Sequence, residues 1–410
     1  MTLELRGGVR AAPVLGRDAE EREALRFVPD PRDRDADPVH VTREATRNQE
    51  DGLDSALVTQ SSSWPDPWAV AGWALARTTR LRVVAAHRIG TTAPTVAART
   101  LQSLDRLSGG RAGVHLILGS ADDDVRRDGD VLDKAGRYER AAEFLDVFER
   151  TLTSDAPFDG IGPHFPVRDA WSGVRPAPYD VPAVGGSHPG PPWDAPAVPR
   201  GPVDPWSPAD DGAVAPPSVV PTPARPEISF AGSSDAGIAL AARYADVYGI
   251  AVQDPERTRA QIDRVRAAAA AHGRTIRIWA NARFVLADDD ERAHARAAAI
   301  VARAGELHHR VLDLDWIRRV APDGAPPPSA TDVRARARAS VASATIGSPE
   351  TAARAVAALH EIGVDVVQLT TAQETPQDRE LRRRLISAAR SAAGAPGPRG
   401  SWATGAHVPR

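Results

Sequence analysis

Two turns in this chain carry residue types that hold anions or move protons. His87-Arg88-Ile89-Gly90-Thr91-Thr92 directly follows the apolar run LRVVAA at 81–86. The planar fork of arginine matches carboxylate, sulfonate or phosphate oxygens. Arg88 is therefore either an anion-holding group or one half of an ion pair, with His87 beside it as a substrate-side candidate. The second turn, Gly119-Ser120, closes the apolar run VHLIL at 114–118, and His115 lies inside that run. An imidazole changes charge near neutral pH, so His115 is either an acid/base group or a core histidine with its hydrogen bonds satisfied. Trp64 and Trp68 either wall an apolar substrate pocket or sit in the core. His308-His309 reads as a solvated helix face. Asp122-Asp123-Asp124 lacks the glycine and distal glutamate of a calcium loop and reads as a solvated run.

The elements that would position these residues follow from periodicity. From Pro94 the sequence PTVAARTLQSLDRLSGG places Val96, Ala97, Leu101, Leu104 and Leu107 on one face. That pattern predicts a helix with proline in its first turn and a glycine stop. Helices are also expected over 39–51, 68–78, 138–152 and 255–272, from 289, within 347–363 and over 376–393. Strands are expected over 24–28, 53–59, 81–86, 114–118, 227–232, 247–252, 276–286 and 364–371. Strand and helix alternate throughout, which demands a parallel sheet with right-handed crossovers. About eight such units point to a (β/α)8 TIM barrel, whose sites lie at the C-terminal ends of the strands. The expected organisation is a flexible leader over 1–23, one barrel over 24–395 and a flexible tail over 396–410. Residues 121–130 read as an acidic loop and 318–340 as a polar Pro/Arg-rich stretch. A Pro-rich insertion at 176–226 interrupts the barrel, since proline removes backbone donors.

Bulk properties narrow the chemistry. The chain has 410 residues, 51 basic and 54 acidic side chains and no cysteine. Charge balance supplies no attraction for nucleic acid or a membrane surface. Without cysteine there is no disulfide, thiolate nucleophile or Cys-based metal site, and no metal is expected. No apolar run approaches the length of a membrane span, and the polar start is unlike a secretory signal; cytoplasmic localisation is expected. Nucleophile-elbow, Walker, His-Glu-x-x-His and Gly-x-Gly-x-x-Gly patterns are missing.

Pro94 to Ser120, together with Arg137-Tyr138, Glu143-Phe144, Phe230 to Asp235 (FAGSSD) and Ile346 to Thr370, resembles the bacterial luciferase-like flavin monooxygenases, closest to the alkanesulfonate monooxygenase branch. The resemblance implies a (β/α)8 barrel that binds reduced flavin mononucleotide (FMN) at its mouth and uses oxygen to oxidise a small substrate. It also implies a separate flavin reductase and a homodimer or tetramer. By position, Gly232, Ser233 and Ser234 match the hydroxyl-rich turn that holds the flavin phosphate, and Tyr138 matches a tyrosine beside it. Gly119, Ser120 and Arg88 match positions lining the same mouth. Backbone N–H groups at a helix N-terminus suit a phosphate dianion.

At several mouth positions the chain departs from that pattern. His115 stands where the family has an asparagine facing the flavin ring, and Leu118 where it has a threonine. Trp64 replaces the sulfonate branch's cysteine. Asn281 and Arg283 replace its Arg and His, and Ala372 and Glu374 its Tyr and His. His115 and Arg88 are thus the catalytic candidates, with Trp64, His87, Asn281 and Arg283 on the substrate side. A deazaflavin-dependent hydride transfer, or a barrel that has lost flavin chemistry and serves as a non-redox enzyme or binding subunit, remain alternatives.

Overall fold

The computed structural model describes residues 3–14, 16–27, 35–62, 64–119, 122–174, 225–308 and 329–394. Eight strands form one parallel ring: β1 (Glu4–Gly8), β2 (Ser55–Val58), β3 (Arg82–Arg88), β4 (Ala112–Ile117), β7 (Glu227–Ala231), β8 (Val247–Ile250), β9 (Arg277–Leu286) and β11 (Val366–Thr370). The ring closes because β8 pairs with β9, β9 with β11, and β11 with β1. The expected (β/α)8 barrel is therefore present. Outside it, β5 (Phe158–Gly160) and β6 (Val167–Ala170) form an antiparallel hairpin, and β10 (Thr345–Gly347) extends β9.

The helices start at the C-terminal end of the strands because the βα turns finish on capping side chains. Asp66, Asp133, Ser234, Asp254, Asp289 and Ser348 each accept a backbone N–H from the first turn that follows. Alternate strand residues such as Leu5, Val83, Ala85, Val114, Leu116, Ile228, Phe230 and Tyr248 join the core between sheet and helices. The other set faces the barrel axis, and at its N-terminal end it is charged.

Glu4, Arg6, Arg82, Glu227 and Arg277 meet there. Arg6 donates to Ser55 Oγ (3.0 Å), Glu4 (3.2 Å) and Glu227 (3.1 Å), and Arg277 donates to Glu4 at 2.6 Å. Arg82 and Arg277 also bond Glu227. Burial pushes both carboxyls up, but the guanidiniums outweigh it and hold them well below the usual carboxylate range.

This cage overturns the expected flexible leader over 1–23. Residues 4–8 are the first barrel strand, buried along nearly all its length. The strand was hidden because its inward positions carry Glu4 and Arg6 rather than apolar residues. The strand expected over 24–28 is also absent. Residues 19–27 form helix α1 (Ala19–Phe27), with Glu20 and Glu21 in its first turn and Arg26 in its last. The acidic loop contains a short helix, Asp122–Arg127. Part of the polar stretch 318–340 is the helix Ala330–Ala342, started by a capping box at Ser329 and Asp332. Nearly all of the Pro-rich insertion, and the tail over 396–410, lie outside the described residues.

Removing one partner from a buried ion pair leaves the other charge uncompensated, at a cost of roughly 3–5 kcal/mol. Glu227→Gln should therefore lower the unfolding free energy by about that amount, read from urea titration. A loss under about 1 kcal/mol would mean that the cage does not hold the barrel.

Candidate active site

The mouth of the barrel is shaped by the turn after β7. Ala231 ends the strand, and Gly232-Ser233-Ser234 leads into helix α7 (Asp235–Tyr244). Ser234 is the cap: its Oγ accepts the Gly237 N–H at 3.2 Å. Tyr138, on helix α6 (Lys134–Thr153), brings its hydroxyl to 2.6 Å from the same Oγ. Arg264, from the helix Pro255–Ala270, donates to the Ser233 carbonyl (3.3 Å) and pairs with Asp235 (3.1 Å). The N–H groups of Asp235 and Ala236 lie in the first turn and have no intrahelical acceptor. Two hydroxyls, two such N–H groups and the positive end of a helix thus share one spot.

His115 lies deeper, on β4. Its Nδ1 is 2.7 Å from Ser229 Oγ, and its ring meets Trp279 edge-on at 5.0 Å between centroids. The Arg6 guanidinium stands 5.7 Å from the Trp279 ring. Burial, and then Arg6, push the His115 pKa down to about 3, against a smaller opposing effect of Glu227. At neutral pH this imidazole is neutral, and of the two roles left open by the sequence this favours a hydrogen-bonding group over an acid/base. Trp279 packs on Gly249, where a Cβ would come within 2.6 Å of the ring.

The other candidates disperse. His87 turns away from the mouth, accepting the Trp68 indole N–H at 3.1 Å and lying 5.9 Å from the Phe144 ring. Burial pushes its pKa down to about 4. Arg88 is 1% exposed and pairs with Asp124 and Asp128, so its fork fixes the Asp122–Arg127 helix instead of an incoming anion. The would-be Cβ of Gly119 is 3.7 Å from Arg88 Nε, and the φ of +84° there favours glycine. Ser120 lies outside the described residues. Arg283 is drawn sideways to Ser340 and to the Phe27 ring (5.4 Å). Glu374 is a clamp, bonded to Arg22 (2.9 Å) and Arg26 (2.6 Å) of α1. Asn281 stays exposed and accepts the Thr370 hydroxyl at 3.0 Å. Trp64 borders a cavity of about 80 Å³ with Val9, Arg10, Val58, Thr59 and Val70, at the ends of β1 and β2. That volume admits only a small group.

Sequence reasoning missed Tyr248, Trp279 and the charged cage. Tyr248 is the one polar side chain of the short strand VYGI, and that is the signal that would have marked it. Among the described residues no cluster of three His, Asp or Glu side chains could hold a metal. No described helix is long and apolar enough to cross a membrane.

The profile of luciferase-like monooxygenases matches residues 24–193 and 207–366. The chain belongs to that family. Solved structures with the same fold include a riboflavin lyase with modified FMN and riboflavin, at 18% identity and TM-score 0.65, over 95% of this chain and 92% of that one. An EDTA monooxygenase from Chelativorans sp. BNC1 shows 17% identity and TM-score 0.64, over 97% and 95%. An F420-dependent secondary alcohol dehydrogenase with an F420-acetone adduct shows 16% and 0.61, over 95% and 99%.

The depressed histidine pKa values carry a stability consequence. A histidine whose folded pKa lies below its unfolded value near 6.5 contributes stability that is complete above that pH. The contribution falls as pH drops from about 6.5 toward the folded values of about 4 for His87 and 3 for His115. Each should add a slope of up to about 1.4 kcal/mol per pH unit. Urea unfolding at pH 7 and pH 5 measures it. His115→Gln should reduce the slope by about one proton, and an unchanged slope would contradict the buried neutral state.

Proposed function

We propose that this luciferase-like barrel is a flavin-dependent monooxygenase that uses reduced FMN and oxygen to oxidise a small molecule. The carrying observation is the hydroxyl pair of Tyr138 and Ser234 at the N-terminus of α7, 2.6 Å apart. The donor set fits a phosphate. Gly232, Ser233 and Ser234 would hold it with Tyr138, while Arg264 offsets the Asp235 carboxylate. Gly119 and Ser120 belong to the same mouth on the family resemblance. Reduced FMN, when bound, supplies the electrons that activate oxygen. The protein's part is to seat the flavin and exclude water.

His115 has a defined role in this reading. In the tautomer whose Nδ1 accepts from Ser229, Nε2–H is left to donate, as the amide of relatives would toward the flavin ring. Asn281 and Trp64 remain on the substrate side. Arg88, His87 and Arg283 are committed to protein partners and are not part of it. Substitutions across the sulfonate branch's positions favour a different small molecule, of specialised metabolism, over an alkanesulfonate. A separate reductase supplies the reduced flavin, and the family resemblance supports a cytoplasmic homodimer or tetramer. The likeness to the F420-dependent dehydrogenase keeps a deazaflavin as the second reading.

Anaerobic titration with reduced and oxidised FMN, riboflavin and F420 tests these readings. Replacing Ser233 and Ser234 together by alanine should weaken FMN binding by about ten-fold or more, since a hydrogen bond to a charged group is worth roughly 1.5–3 kcal/mol. Riboflavin, which lacks the phosphate, should bind both proteins alike. Equal FMN affinity in the two proteins would remove the phosphate from this turn, and binding of F420 alone would establish the second reading.

A further inference from the structure

The fully buried Tyr248 hydroxyl has no hydrogen-bond partner, and it sits beneath the turn after β7. A buried donor is costly to leave unmade, so such atoms are rare in folded proteins. Its surroundings give it a direction. The position a Cβ on Gly232 would take is 3.4 Å from this oxygen. The equivalent point on Gly237 is 3.2 Å from Ser234 Oγ, 3.5 Å from the Tyr138 hydroxyl and 3.6 Å from the Tyr248 hydroxyl. Three hydroxyls from α6, α7 and β8 therefore converge where two glycines contribute no side chain.

We propose that Tyr248 is a phosphate-binding residue, whose hydroxyl donates from below to a terminal phosphate monoester seated on the Gly232-Ser233-Ser234 turn; the inference rests on the FMN reading above. Counting hydrogens supports it. Ser234 Oγ already accepts from the Gly237 N–H, and one hydrogen is spent between Ser234 and Tyr138. That pair keeps one hydrogen for a ligand. Tyr248 supplies a second, and the first-turn N–H groups of Asp235 and Ala236 supply the remaining direction. With the Ser233 hydroxyl at the rim of the turn, these donors are enough to reach all three terminal oxygens of a monoester. A phosphodiester has two terminal oxygens and would leave one donor facing a weakly accepting ester oxygen. The charged groups nearby are Arg264 and Asp235, paired with each other, so the hydroxyls and amides carry the recognition.

The test uses Tyr248→Phe in the full chain, with FMN and riboflavin as probes. Removing an orphaned hydroxyl leaves the ring in place, so the ligand-free variant should melt at the same temperature or higher. FMN affinity should fall about ten-fold or more while riboflavin affinity stays within about two-fold. The 31P resonance of bound FMN should move between the two proteins. Unchanged FMN affinity overturns the inference, and so does an equal loss for FMN and riboflavin, which marks a packing role. The variant with both serines replaced separates the levels. If it loses FMN while Tyr248→Phe does not, the turn binds phosphate without Tyr248. If neither variant responds, the phosphate reading itself fails and the inference falls with it.

Discussion

Glu4 and Glu227 share three guanidiniums, those of Arg6, Arg82 and Arg277, inside the parallel ring. These side chains come from β1, β3, β7 and β9, and Ser55 adds β2. Most barrels fill this space with branched apolar residues. Here five strands are held by groups that tolerate almost no slippage. Sliding one strand by two residues would strand a buried charge, at a cost far above that of a misplaced methyl. The cage is thus a specification of register more than a source of net stability, because desolvation consumes much of its Coulomb energy.

Its influence reaches the mouth through contact. Arg6 lies against the Trp279 ring, Trp279 meets His115, and His115 bonds Ser229. Burial is the main cause that keeps His115 neutral, and the Arg6 cation adds to it by disfavouring a second positive charge. A group in that state orients a ligand by hydrogen bonding and does not shuttle protons at neutral pH. The charged groups at the closed end of the barrel thereby reinforce what burial does to a histidine on β4.

Most of the fold was legible because most strands are apolar on both faces and most helices begin at Asp or Ser caps. Strand 114–118 was readable on the first ground, and the helix from Pro94, which has no side-chain cap, on its apolar face, first-turn proline and glycine stop. β1 was not, since periodicity treats Glu4 and Arg6 as solvent-facing, and the partners that satisfy them lie on other strands, from Ser55 to Arg277. The hydroxyl-rich turn before α7 was legible as a capped helix start, because a local Ser caps it. The site was illegible where long-range pairing decides a side chain's fate. Nothing near Arg88 in sequence says whether its fork awaits a ligand or is already occupied by Asp124 and Asp128. Tyr248 was missed for the opposite reason: an apolar strand context disguises a polar atom that the packing leaves unpaired.

Long-range pairing also fixes the rim of the mouth. Arg283, Glu374 and Arg88 stand at positions that the family resemblance marked for the mouth, yet each is bound to another part of this chain. Glu374 ties α1 to the end of β11, and Arg88 ties the Asp122–Arg127 helix to the end of β3. Charges that would recognise an anionic substrate instead hold the rim of the mouth in place. Among the described candidates Asn281 is exposed, and Trp64 borders a small cavity. The pairing of Arg283, Glu374 and Arg88 with Ser340, Arg22, Arg26, Asp124 and Asp128 spares each of these buried or half-buried charges the cost of standing unpaired.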